Sequence, residues 1–119
     1  MVQPDFYLRI SNRTFEHFSG HGYVDAGGAP ERMIPVDDLW SLHLSVVNRI
    51  YDENGQAIGV RFRDKEEGTL HDVFPGKVHS ISVWTTAVDD DGCPEDICIH
   101  FYLEIIRAED VNPDMIRKD

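Results

Sequence analysis

The chain has 119 residues, with 22 Asp or Glu against 11 Lys or Arg, a formal charge of −11 with histidine neutral. It is 41% apolar, 10% aromatic and 28% charged, which describes a foldable chain and excludes a disordered acidic tail, because such tails lack aromatics. The carboxylate excess argues against a nucleic-acid partner, and no apolar run reaches the ~18–20 residues of a membrane-spanning helix, so no membrane partner is expected either.

A chain this long buries roughly two-thirds of its unfolded surface, so one domain over residues 1–119 is expected to form a core without metal or disulfide staples. The opening Met1-Val2-Gln3-Pro4-Asp5 has no basic stretch leading into an apolar one, so a cytoplasmic protein is expected.

Taken in order, Phe6, Leu8 and Ile10 alternate and predict an opening strand. Phe15 to Val24 predicts another, loosened by Gly20 and Gly22. Ala26-Gly27-Gly28-Ala29-Pro30 reads as loop, and Pro30 to Ile34 as one helical turn with proline at its start. Trp40, Leu42, Leu44, Val46 and Ile50 then share one face of a long strand, with Ser41, His43, Ser45, Arg49 and Tyr51 on the other.

That strand runs through Asp52-Glu53-Asn54-Gly55 into Gln56 to Asp64, a hairpin. Register selects the loop. A two-residue Asn54-Gly55 turn sets Phe62 against Val47 and opposes unlike faces. A three-residue Glu53-Asn54-Gly55 loop with left-handed Gly55 sets Ile58 against Ile50 and Phe62 against Val46, so the longer loop is expected.

Val73-Phe74-Pro75-Gly76 ends the next segment, and Lys77 to Val88, rich in β-branched and aromatic residues, predicts a strand. After the polar connection Asp89 to Glu95, Ile97, Ile99, Phe101, Leu103 and Ile105 alternate with Cys98, His100, Tyr102 and Glu104. Ala108 to Asp119 reads as a helical turn or an extended arm, with Asn112-Pro113 opposing a continuous helix.

About six or seven strands with one apolar face each predict an all-β, single-domain antiparallel β-sandwich, immunoglobulin-like or jelly-roll-like, with a cupin-type barrel as the alternative. Trp40 and Trp84 are expected in its core.

The charge is uneven: Thr86 to Asp119 holds ten acids and three bases, net −7, and the first 85 residues carry −4. Cys93 and Cys98 flank Pro94 without C-x-x-C spacing or a second pair, so reduced thiols are expected rather than a zinc site. Neither lies beside a base that would activate it, and no nucleophile elbow or phosphate-binding glycine loop is present. Aligning Gly92 or Gly55 to the glycine of a calcium-binding helix-loop-helix leaves the first and last ligand positions of both loops without a carboxylate.

Six histidines, His17, His21, His43, His71, His79 and His100, raise a metal reading. Pro75-Gly76-Lys77-Val78-His79 resembles the second motif of the cupins, over five residues. The family's H-x-H pair followed by Glu is absent. What the resemblance implies is a small metal-dependent barrel enzyme with iron or manganese on some of His17, His21, His79 and His100.

The leading reading is a non-enzymatic acidic protein-binding module without a cofactor, an inhibitor or immunity-type protein for a basic partner. Its candidate binding residues are His43, Arg49 and Tyr51 with Arg61 and Arg63 on the outer face of the hairpin, and His100 and Tyr102 on a second face, since aromatics and guanidinium groups dominate protein contacts. A homo-oligomer through a sheet face or edge is the third possibility.

Overall fold

Leu8, Val36, Val60, Phe62, Val73, Val83, Leu103 and Ile105 are wholly buried between two antiparallel sheets, as facing apolar stripes require. Burial of each such side chain is worth about 1.5–3 kcal/mol. The computed structural model describes residues 4–18, 22–88 and 91–112, the side chains of 17, 18 and 87 excepted.

The strands are β1 (Phe6–Phe18), β2 (Gly22–Asp25), β3 (Arg32–Pro35), β4 (Leu44–Tyr51), β5 (Ala57–Asp64), β6 (Leu70–Val73), β7 (His79–Val88) and β8 (Pro94–Arg107). The larger sheet has the order β2-β1-β8-β7, with β3 also on β1; the smaller is the meander β4-β5-β6. Among the described residues eight strands form rather than six or seven because β3 and β6, at four residues each, are too short to display alternation.

Phe15 to Val24 is not one strand. Its first part completes β1, and Gly22–Asp25 returns as β2, with Phe15 opposite Asp25. The Gly20 signal lies outside the described residues. Pro30 to Ile34 is not helical either: Arg32–Pro35 pairs with Tyr7–Ile10, so cross-strand bonding outweighs the proline start signal, and a 3₁₀ turn falls instead at Val36–Asp38.

Between β2 and β3, the chain from Ala26 to Ala29 continues along β1. Thr14 N–H donates to the Gly27 carbonyl at 2.7 Å, Ala26 N–H to Thr14 at 2.8 Å, and Ala29 N–H to the Asn12 side chain at 3.0 Å. A Cβ on Gly28 would collide with the Asn12 carbonyl oxygen.

The β4–β5 loop is the three-residue one, with Gly55 at φ 78° and Asp52 N–H donating to Gln56 at 2.9 Å. Phe62 faces Val46 as expected, but Ile50 faces Gly59, because Val47 and Ile58 are each an unpaired extra residue. The two irregularities cancel at the ends and invert the phase between them, which puts Arg49 opposite Val60 on the inner side. A side chain at residue 59 would strike the Phe74 ring and the Val73 carbonyl.

Trp40 and Leu42 are not in β4 or in the core: they are 75% and 68% exposed. The Ser41 hydroxyl accepts from the N–H groups of His43 and Leu44 at 3.1 and 3.3 Å, a local bond that bends the chain just before the strand. Trp84 is also outside the core, at 48% exposure, since Ile81 and Val83 take the inner face of β7.

β1 and β8 run 13 and 14 residues whereas no strand of the smaller sheet exceeds eight. The larger sheet therefore outreaches the core at the end carrying β2, Trp84 and Pro94, giving a molecule of 53 × 32 × 25 Å.

Candidate functional site

A sheet edge is a row of unpaired backbone donors and acceptors, normally blunted by charge, proline, bulges or brevity. Three of the four margins here are blunted: β2 and β3 have four residues each, β4 carries the Val47 irregularity, and β6 is a four-residue strand bearing Asp72. β7 differs. It bonds β8 in unbroken register from His79–Leu103 to Val88–Pro94, and no strand among the described residues pairs with its other side. From Val78 to Val88 it has neither charge nor proline.

The outer face of this sheet is aromatic across its width, from β7 to β2. Trp84 and Tyr23 meet edge to face with centroids 5.7 Å apart, and Phe15 meets His100 likewise at 5.2 Å. Tyr23 and Trp84 are each about half exposed and Tyr102 is partly exposed on the same face. Cys98 is buried among them at 2% exposure.

Its Sγ lies 3.5 Å from His100 Nε2, and His100 Nδ1 lies 2.9 Å from Ser82 Oγ. The row has the order of a nucleophile, base and orienting group, but burial pushes the Cys98 thiol up, away from the reactive thiolate. The arrangement fixes ring orientation rather than activating sulfur.

Of the seven candidate residues, His100 and Tyr102 stand on this face. The other five do not form one surface. Arg49 turns inward and joins Asp5 and Asp37. Tyr51 is exposed and lines a recess with Arg49 and Asp37. Arg61 and Arg63 share the outer side of β5, where Arg61 donates to both oxygens of Asp72 at 2.7 and 3.2 Å. The guanidinium holds the Asp72 carboxyl below its ordinary range. His43 instead sits at the mouth between the sheets, Nδ1 3.0 Å from Glu66 and its ring tilted over Phe101.

The metal alternative requires histidines to converge. His79 has the parity of inward-facing Ile81 and Val83, whereas His100 faces outward beside Ser82, so the two lie on opposite faces of one sheet. The His17 side chain and His21 lie outside the described residues, as do Asp89 and Asp90. Among the described residues no group of three His, Cys, Asp or Glu is placed to hold a metal ion. His71 and His79 each bury an Nε2 without a hydrogen-bond partner among the described residues, and burial, then Lys77, holds His79 below the usual imidazole range.

Where the larger sheet emerges from under the smaller, its inner face floors a recess of about 320 Å³ with Ile10, Ile99 and Phe101, bounded by Arg32, Trp40 and Leu42. The sequence reading missed both this recess and the role of Trp84. Parity was the available signal for Trp84, which alternates with Ile81 and Val83 and is in phase with Ser80, Ser82 and Thr86. No protein-family model matches the chain, and no curated protein or solved structure matches it either.

Proposed function

We propose that the chain is a non-enzymatic protein-binding module that receives an extended strand of a basic partner along the outer edge of β7. The observation that carries this reading is the uncharged, proline-free and unbulged margin from Val78 to Val88 in a chain that is 28% charged. Strand addition supplies main-chain hydrogen bonds, and side-chain contacts supply specificity. Trp84, half exposed on the outer face of β7, offers the aromatic contact area that binding hot spots use.

Charge selects the partner. Asp91, Glu95 and Asp96 follow the end of β7, in the part of the chain that carries −7. A second copy would bring another −11 charge to the same edge, whereas a basic strand is attracted and steered. An inhibitor or immunity-type role, masking a basic site, is the form of recognition this favours. Cys93 and Cys98 lack C-x-x-C spacing and a second pair, a cysteine usage that suits a reducing cytoplasmic setting.

The test is titration with a lysine-flanked peptide of alternating threonine and valine, followed by amide chemical shifts. Saturable shifts centred on β7, weakened by added salt and by Trp84→Lys or Ser82→Lys, are expected. Shifts absent from β7, or binding that strengthens with salt, would overturn the reading; the latter, with a dimer in sedimentation, would identify self-association instead.

A further inference from the structure

We infer that the recess beneath Trp40 and Leu42 is a binding site for a small monocarboxylate with an aromatic or aliphatic body, independent of the β7 edge. Its floor is the inner face of the larger sheet: Ile10, Ile99 and Phe101, each at most 8% exposed. Arg32 is opposite Ile10 in the ladder, so it belongs to the same face and stands at the margin of this apolar floor.

Its charge state is what defines the ligand. Arg9, Arg13, Arg49 and Arg61 each pair with a carboxylate. Arg32 pairs with none among the described residues, although the chain holds 22 acids. The adjacent Glu31 points to Arg9 at 3.3 Å, so it does not occupy the Arg32 guanidinium. A guanidinium offers a carboxylate two parallel donors.

The body of the ligand is set by the rim. Trp40 and Leu42, 75% and 68% exposed, sit on the bent segment before β4 at the open side of the recess. An apolar group lying on the Ile99–Phe101 floor would shield Trp40 and Leu42 from water, which rewards a ligand that is anionic at one end and apolar at the other. The volume, about 320 Å³, falls in the range of small-molecule sites and fits a single ring or short chain.

The experiment compares 4-phenylbutyrate with its neutral analogue 4-phenylbutan-1-ol, each titrated into the full chain and followed by side-chain and amide resonances. Saturable shifts at Thr14, Arg32, Trp40, Ile99 and Phe101 are expected, with the alcohol binding about fivefold more weakly than the acid. Arg32→Gln should bring the acid down to the level of the alcohol, and Trp40→Ala should weaken both. Equal binding of acid and alcohol to the unmodified chain, shifts confined to other surfaces, or no saturable shift would each overturn the inference. Because the acid and alcohol are compared on the unmodified chain, the result does not depend on any variant folding, and failure here leaves the β7 reading untouched.

Discussion

The Arg49 guanidinium on β4 and the Asp5 carboxylate just ahead of β1 form a two-bond fork between the sheets, Nε to Oδ2 at 2.9 Å and Nη2 to Oδ1 at 2.8 Å. The same guanidinium donates to both oxygens of Asp37 in the 3₁₀ turn, at 3.0 and 2.7 Å. One cation thus ties three segments together, and the hydrogen bond from Arg49 holds Asp5 below the usual carboxylate range.

Arg49→Met should lower the unfolding free energy by about 1–2 kcal/mol, a charge-assisted network discounted for the exposure of both carboxylates. Arg49→Lys should recover little, since one ammonium cannot reproduce two forks. The Asp5 contribution is present above its unfolded pKa near 3.8 and is lost as pH falls through the lower folded value. Urea denaturation of both chains should therefore converge in acid. A constant gap down to the lowest accessible pH would contradict this assignment.

His79 acts in the same direction at higher pH. Burial and Lys77 lower its pKa from 6.5, so the unfolded chain binds the proton more readily than the folded one. Stability from this residue is complete above about pH 6.5 and falls as pH drops towards the folded pKa. His79→Phe should flatten that part of the stability profile relative to the unmodified chain; an identical slope in both would remove His79 as its source.

Gly28→Ala should destabilise by about 1–3 kcal/mol, because the added methyl meets backbone rather than a side chain that can swing away. The Thr14–Gly27 and Asn12–Ala29 bonds must shift to make room, and thermal unfolding reads the loss directly. An unchanged midpoint would mean that this stretch does not cover β1 as described.

Much of the architecture was legible because it rests on period two. Phe101, Leu103 and Ile105 alternate without interruption and are all buried, and the Gly55 loop followed from which faces had to meet. Arg49 was legible as a strand residue but not as an inward one. Its face depends on the extra residues at Val47 and Ile58, and neither carries a composition signal. Trp40 was misread because alternation extended past Ser41, whose hydroxyl bonding ends the strand pattern. The β7 margin was legible as an uncharged run, but that it lies at an edge depends on strand order, which the alternation leaves open.

The central claim concerns that edge, and hydrogen exchange measures it most directly. In an edge strand alternate amides point outward without a partner and exchange quickly. With the lysine-flanked strand peptide bound, the fast-exchanging amides between His79 and Val88 should become protected while those of β4 and β6 keep their rates. Unchanged exchange along β7 at a peptide concentration that saturates binding would contradict strand addition there.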